Sequence, residues 1–113
     1  MKNTKTKKAI EKLQRIKVYQ LENKNQYLID SKDFRFFQSY DSLIAIYDKE
    51  NRQLTVGSLW NYSNTTRKHL YIFIKDYCYI AQADAALSNT KNKRKALQKL
   101  IDEGVIFFDS TIQ

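Results

Sequence analysis

The sequence predicts an α+β fold, in which a small antiparallel sheet of about four to five strands carries two to three helices packed on one face. Two patterns lead to this prediction: apolar and polar residues alternate between residues 17 and 57, and apolar residues recur at helical spacing after them. Composition agrees, because a chain of 113 residues with no proline and only two glycines has few breaks between regular elements. The length suits one core, so we expect residues 1–113 to form a single domain.

A basic helix is predicted at the N-terminus, over residues 4–16. Its apolar residues fall near helical spacing, and the lysines between them face water. The apolar stripe is narrow, so we expect the basic segment 1–17 to lie at the periphery of the domain. The residues of the stripe are Ala9, Ile10, Leu13 and Ile16.

Strands are predicted where apolar and polar residues alternate, because successive side chains of a strand point to opposite faces of a sheet. Turn-forming Asn, Asp, Ser and Lys residues separate these segments, and the polar run between residues 47 and 54 makes a hairpin loop. Gly57 marks a bulge in the last strand of this group. The predicted strands cover residues 18–22, 27–29, 34–40, 43–47 and 54–56.

A long amphipathic helix is predicted after these strands. Ser63 or Asn64 caps its first turn, because either side chain accepts a hydrogen bond from an unpaired backbone N–H. Apolar residues then recur at helical spacing, and the pattern continues through several alanines to Leu87. The recurring residues are Leu70, Phe73, Ile74, Tyr77 and Ala81.

A last helix is predicted over about residues 91–103, with Asn89 or Thr90 as its cap. Gly104 stands where helices commonly end on a left-handed residue. The apolar run 105–108 then forms a final buried strand or an apolar tail. The core-facing residues of this last helix are Ala96, Leu97, Leu100 and Ile101.

Positive charge is concentrated towards the two ends of the chain. The formal net charge is +8, and residues 1–17 hold seven Lys and Arg against one Glu. The densest cluster lies on the last predicted helix, where lysines repeat every four residues. Such a stripe either follows a phosphate backbone in a salt-sensitive way or faces solvent and keeps the protein soluble, and both interpretations stay open. The members of the cluster are Lys91, Lys93, Arg94, Lys95 and Lys99.

Aromatic residues form two groups that are typical of binding surfaces. The first resembles the stacking face of a single-strand nucleic-acid binder, but strand alternation sends about half of it inward, and we interpret it as core. Trp60 and Tyr62 lie in the loop before the long helix, where a large aromatic residue is often an interaction anchor. The alternative for this pair is a staple that fixes the entry of the helix. The first group consists of Phe34, Phe36, Phe37 and Tyr40.

No residue pattern predicts catalysis. His69 is the only histidine and Cys78 the only cysteine, and nine residues of helix between them turn their side chains to opposite sides. We interpret His69 as a surface polar residue and Cys78 as a small buried hydrophobe. Acidic residues lie in turns, and two distant glycines do not form a phosphate loop. We therefore expect a protein that is not an enzyme, with no metal site and no cofactor.

No segment predicts contact with a membrane. The basic N-terminus lacks the apolar stretch of a signal peptide, and no run approaches the ~18 apolar residues of a spanning helix. We expect a cytoplasmic protein that functions by binding a partner.

Two runs in the middle of the chain carry a resemblance to a known family. They read FQSYDSLIA over residues 37–45 and WNYSNTTRKHL over residues 60–70. The first resembles a strand, and the second opens a helix with the pattern Tyr-Ser-x-Thr-Thr, as in a small domain of unknown function. That domain occurs in phage, plasmid and other mobile-element proteins of low-GC Gram-positive bacteria. Residues 1–17 and 88–113 lie outside the resemblance.

Mobile-element proteins of this size include anti-CRISPR proteins, which inhibit the RNA-guided type II CRISPR nuclease. The resemblance implies an inhibitor that binds this nuclease or its guide-RNA complex in the host cell and blocks cleavage of target DNA. Many such inhibitors are acidic and imitate DNA, whereas a chain of net charge +8 instead binds an acidic face of the nuclease or the guide RNA.

The alternative is a basic nucleic-acid-binding accessory protein of a phage or plasmid. For either function, partner binding is expected at the basic helical faces and at the aromatic corner before the long helix. The expected site residues are Lys91, Lys93, Arg94, Lys95, Lys99, Trp60, Tyr62, Arg67 and Lys68.

Overall fold

The computed structural model describes residues 16–113, which form a six-stranded sheet and three helices. The predicted α+β fold is confirmed, with one strand more than predicted. The helix predicted over residues 4–16 lies outside the described residues. The strands are β1 (Lys17–Gln20), β2 (Gln26–Asp30), β3 (Phe34–Ser39), β4 (Ser42–Asp48), β5 (Gln53–Val56) and β6 (Phe107–Phe108). The helices are α1 (Asn64–Tyr77), α2 (Ala81–Ser88) and α3 (Lys93–Asp102).

The sheet follows the chain in order, from β1 at one edge to β6 at the other. β1 to β5 form an antiparallel meander, and β6 adds to β5 in parallel after the helices. Of the two alternatives for residues 105–108, a strand is observed, but only Ile106 before it is buried, and Phe107 and Phe108 of β6 are exposed.

Alternation along β3 separates the two faces of the sheet. Arg35, Phe37 and Ser39 point towards the helices, whereas Phe36 and Gln38 point to the opposite face. Phe37 and Ser39 are buried, and Phe36 is only half-buried. The core therefore lies on the helical side of the sheet, in agreement with the predicted arrangement of helices on one face.

Helix α1 packs on this face against β2 and β3. The rings of Phe37 and Phe73 stack with their centroids 5.9 Å apart. Leu70 and Ile74 beside Phe73 are also buried, as the apolar periodicity of the helix predicts. Ser63 accepts a hydrogen bond from the backbone N–H of Thr66, which confirms the predicted N-cap.

Helix α1 ends at Tyr77, ten residues before the predicted end at Leu87. Cys78 has extended backbone, and Arg35 of β3 donates a hydrogen bond of 2.9 Å to the carbonyl oxygen of Tyr77. The backbone N–H of Tyr79 donates to the hydroxyl of Tyr47 on β4, at 3.1 Å. These contacts with the sheet divide the predicted helix into α1 and α2.

A bulge lies in β4, where Ile44 has no partner between the pairs Phe37–Ala45 and Gln38–Leu43. Gly57, the residue predicted to mark a bulge, instead follows β5 and donates its N–H to the Ile44 carbonyl oxygen at 2.8 Å. The glycine therefore lies beside the bulge and does not form it.

Helix α3 begins later than predicted. Its cap is Asn92, whose side chain accepts a hydrogen bond from the Lys95 N–H at 3.1 Å, and neither Asn89 nor Thr90 holds this position. At the other end Gly104 is left-handed, with φ +76°, and its N–H donates to the Ile101 carbonyl oxygen. The predicted glycine termination is thus confirmed.

Within the described residues, no helix is long and apolar enough to cross a membrane.

Adjacent phenylalanines of β3 test the two-faced arrangement of the sheet. We expect Phe37→Ala to lower the free energy of unfolding by about 3–5 kcal/mol, because it opens a cavity in the core. Phe36→Ala should cost about 1 kcal/mol or less, because its ring is half-exposed on the opposite face. Urea denaturation of dilute protein measures both, and equal losses for the two variants would contradict the assigned faces.

The two glycines should be sensitive to substitution for different reasons. A Cβ at Gly57 meets the Ile112 carbonyl oxygen at 2.2 Å, so Gly57→Ala should destabilise by about 1–3 kcal/mol through crowding. The Cβ that Gly104→Ala adds meets no atom within 4 Å, but it strains a left-handed residue. This variant should destabilise the protein by about 1–2 kcal/mol. Denaturant unfolding measures the losses, and a Gly104→Ala variant as stable as the wild type would remove the proposed role of Gly104 in ending α3.

Candidate functional site

The two sequence runs that carry the family resemblance meet at one pocket. The turn between β3 and β4 forms one wall, and the segment that opens α1 forms the other. The pocket has a volume of about 690 Å³, and seven of its ten lining residues carry an aliphatic hydroxyl group or a phenol. We call it the hydroxyl pocket. Its lining residues are Ser39, Tyr40, Asp41, Ser42, Ile44, Leu59, Tyr62, Ser63, Thr65 and Thr66.

Hydrogen bonds between hydroxyl groups join the two walls of the pocket. Thr66 Oγ1 lies 3.0 Å from Ser39 Oγ, which links α1 to β3. Ser63 donates to the same Thr66 oxygen at 3.1 Å, and its own oxygen accepts the Thr66 N–H. Ser39 and Thr66 are both buried. The floor of the pocket is therefore part of the same network that caps α1.

Tyr40 forms one rim of the pocket in an unusual backbone conformation. Its φ is +53°, in the left-handed region that bulky residues rarely adopt. Two hydrogen bonds of 2.7 Å hold it there: its N–H donates to the Asn25 carbonyl oxygen, and Gln38 Nε2 donates to its carbonyl oxygen. The side chain is 57% exposed. The backbone is thus fixed while the phenol ring faces solvent.

Tyr62 forms the opposite rim and is 78% exposed. Arg67, one turn into α1, fixes the loop that carries it. The guanidinium of Arg67 donates to the Asn61 side chain at 2.9 Å and to that of Asn64. Arg67 was expected to bind a partner, and the structure shows it bound to its own loop.

Trp60 is buried, with 5% of its surface exposed, and belongs to the core cluster. Its expected role as an interaction anchor is therefore left with little surface for a partner to contact. The chain turns tightly after β5, where the Trp60 N–H donates to the Gly57 carbonyl oxygen at 3.2 Å, and the tryptophan packs into the core. The interpretation of Trp60 as a residue that fixes the helix entry fits this burial.

The basic residues of the predicted site do not form one stripe. Lys91 precedes α3, so the repeat of one lysine every four residues does not lie on a single helix. Lys93 donates to the carbonyl oxygens of Leu87 and Thr90, at 2.8 and 3.3 Å, and so satisfies the end of α2. Lys99 lies 3.8 Å from Glu103.

Lys68 and Lys93, which are distant in sequence, come together at a second pocket of about 520 Å³ between α1 and α2. Two carboxylates, Glu22 and Asp84, line it as well, and Lys68 pairs with Glu22 at 3.4 Å. Desolvation and the nearby Asp76 raise the pKa of Asp84. Lys75 lines the pocket as well, so three lysines and two carboxylates share it and its charge is mixed.

Three basic side chains of the expected site remain available. Lys91, Arg94 and Lys95 are exposed and form no ion pair within residues 16–113. They surround the N-terminal end of α3.

The histidine and the cysteine both lie inside the protein. His69 is fully buried, which corrects its interpretation as a surface residue, and its Nδ1 donates to the Thr65 carbonyl oxygen at 2.8 Å. Burial raises the pKa of the Cys78 thiol well above its usual range, and the predicted buried cysteine is confirmed. No cluster of three His, Cys, Asp or Glu side chains occurs in the described part of the chain.

The hydroxyl pocket therefore offers neutral donors and acceptors between two exposed phenol rings, with Asp41 as its one charged residue. Such groups form hydrogen bonds with peptide amides and polar side chains. Of the residues that line the pocket, only Tyr62 was predicted from the sequence to be a site residue. The signal was present, since both wall segments fall in the two runs quoted for the resemblance.

No curated protein and no solved structure matches this chain. One family model does match it, over residues 4–95, and is described as a family of unknown function, DUF8033. The matched range contains strands β1 to β5, helices α1 and α2, and both walls of the hydroxyl pocket. The chain therefore belongs to the DUF8033 family.

Proposed function

We propose that this chain is a non-catalytic binding protein whose target is another protein, contacted through the hydroxyl pocket and its two tyrosines. The observation that carries the proposal is the pairing of Tyr40 and Tyr62, both exposed, across a pocket of neutral hydrogen-bonding groups. Tyrosine is enriched in protein interfaces because it combines a large contact area with a hydrogen-bonding hydroxyl group.

Fixed backbone on both rims supports this proposal. Tyr40 is held by hydrogen bonds to Asn25 and Gln38, and the loop of Tyr62 is held by Arg67. A partner that binds here does not have to order the backbone, and a smaller entropic cost favours affinity. An unusual backbone conformation held by its surroundings is also common at functional sites.

A function without catalysis is supported by the positions of the two residues most able to act in catalysis. The Cys78 thiol is buried and its raised pKa disfavours the thiolate, which is the nucleophilic form. His69, a residue of α1, is buried and its Nδ1 donates to a backbone carbonyl oxygen. Neither side chain lines the hydroxyl pocket.

We further propose that the target is a type II RNA-guided nuclease or its guide-RNA complex, and that the chain is an anti-CRISPR inhibitor from a mobile genetic element acting in the host cytoplasm. This identity rests on the resemblance of the two sequence runs. The net charge of +8 fits an acidic face of the nuclease or the guide RNA, and it does not fit imitation of DNA.

A second candidate is a nucleic-acid-binding accessory protein. Lys91, Arg94 and Lys95 favour it, because three exposed cations without ion pairs in residues 16–113 surround one helix end. Phosphate binding by such residues weakens steeply as salt concentration rises, whereas a neutral protein interface weakens less.

The proposed function is tested by guided cleavage of a DNA target by a type II nuclease, with increasing amounts of this protein. We expect the wild type to inhibit, and the double variant Tyr40→Ala/Tyr62→Ala to need at least ~10-fold more protein, because both aromatic contacts are lost. Tyr79→Ala is the matched control, since this tyrosine is 65% exposed at the other end of α1 and should leave inhibition unchanged. Thermal unfolding confirms that both variants fold.

The cleavage assay, together with binding of bare nucleic acid, separates the two candidate functions. Charge reversal of Lys91, Arg94 and Lys95 to Glu should abolish binding of bare RNA or DNA if the second candidate is correct. Unchanged cleavage with every type II nuclease tried, together with a salt-sensitive shift of bare nucleic acid, would replace the inhibitor proposal with the nucleic-acid one.

A further inference from the structure

The sheet has a second face that no described element covers. The strand register places one side chain from each strand in a row across this face, in the order Val18, Ile29, Phe36, Ile46, Thr55 and Phe107. Five of the six side chains in the row are apolar. We call this surface, together with the neighbouring positions that point the same way, the open face.

The side chains of the open face are accessible. Val18 is 61% exposed and Phe107 is 44% exposed at the two ends of the row. Phe36 and Ile46 in the middle are half-buried, and neither packs against the core cluster. Phe34 adds a second exposed ring, 6.1 Å from that of Phe36. A contiguous apolar patch of this kind marks an interaction surface.

The charge of the open face differs from that of the rest of the chain. None of its strand positions carries Lys or Arg, although the chain holds twenty of these residues. Polar positions beside the row are neutral Gln20, Gln38 and Gln53, and Asp48 is the one carboxylate. The Asp48 carboxylate accepts hydrogen bonds from its own loop, at Glu50 and Asn51.

We propose that the open face is the interface of a homodimer, in which two copies pack their sheets face to face. Two chains of net charge +8 repel each other wherever lysine-bearing surfaces meet. When two copies meet through their open faces, no Lys or Arg of a strand in one copy lies opposite a Lys or Arg of a strand in the other. Sheets that pack in this way bury both apolar faces at a separation of about 10 Å.

A second copy fits this face better than an unrelated partner because the face is complementary to itself. In a two-fold interface each patch meets an identical patch, so a charged patch would oppose its own charge. In this dimer the apolar row of one copy meets the apolar groups of the other. The flanking glutamines meet amides, which both donate and accept hydrogen bonds. The proposal is independent of the target proposed above, because the hydroxyl pocket is lined by none of the six residues of the row.

Sedimentation equilibrium of the full chain over a range of concentrations tests the proposal. We expect the average mass to rise from 13.4 kDa towards twice that value, and the dimer to tighten as added salt screens the repulsion between two positive chains. Phe36→Lys places two positive charges, one from each copy, at the centre of the interface. This should raise the dimer Kd by at least ~100-fold, tenfold for each copy. Tyr62→Lys adds the same charge outside the open face and should leave the dimer unchanged.

Val18→Lys gives a second variant should Phe36→Lys fail to fold, because Val18 is largely exposed on an edge strand. It should also weaken the dimer. A monomer at every concentration would overturn the proposal, and this is the result expected if residues 1–15 or another partner cover the face. A dimer that persists unchanged in both open-face variants, or one that weakens with salt, would overturn it as well.

Discussion

The packing of one strand along one helix determines most of this structure. Three alternate residues of β3 contact α1 at its start, middle and end. Ser39 lies at hydrogen-bonding distance from Thr66 in the first turn, Phe37 stacks on Phe73, and Arg35 donates to the last carbonyl oxygen of the helix. Each contact uses different chemistry, so the helix has only one position and one length at which all of them form. This set of contacts places the helix start, and with it the hydroxyl pocket.

The same alternation produces two surfaces of different character. Because Arg35, Phe37 and Ser39 point to α1, Phe34, Phe36 and Gln38 must point the other way, and there they contribute to the open face. The hydroxyl pocket is small, polar and rimmed by tyrosines, which suits recognition of a specific partner. The open face is flat and apolar, which suits a second sheet. Within residues 16–113, no Lys or Arg lines the hydroxyl pocket, and no Lys or Arg of a strand points to the open face.

Features fixed by neighbouring residues could be predicted from the sequence, and features fixed by tertiary contacts could not. The Ser63 cap and the left-handed Gly104 depend on local hydrogen bonds and φ angles, and both were predicted correctly. The end of α1 depends on Arg35 and Tyr47, which lie on distant strands, so periodicity alone extended the helix to Leu87. His69 was interpreted as a surface residue, and Trp60 was left between interaction anchor and staple, because the burial of both depends on how the helix and its loop meet the sheet. The pocket was missed because its walls, residues 39–44 and 59–66, are at least fifteen residues apart in sequence.

The division of the sheet into a packed face and an open face is tested most directly by thiol labelling of neighbouring residues on β4. Ala45 faces the helices and is fully buried, whereas Ile46 belongs to the open face. Single substitutions Ala45→Cys and Ile46→Cys are compared in protein dilute enough to be monomeric, with the buried Cys78 as an internal reference. The account predicts rapid modification at position 46, and modification at positions 45 and 78 only through unfolding. Slow modification at position 46, at the rate of position 45, would show that the open face is covered by the chain itself and would contradict the account.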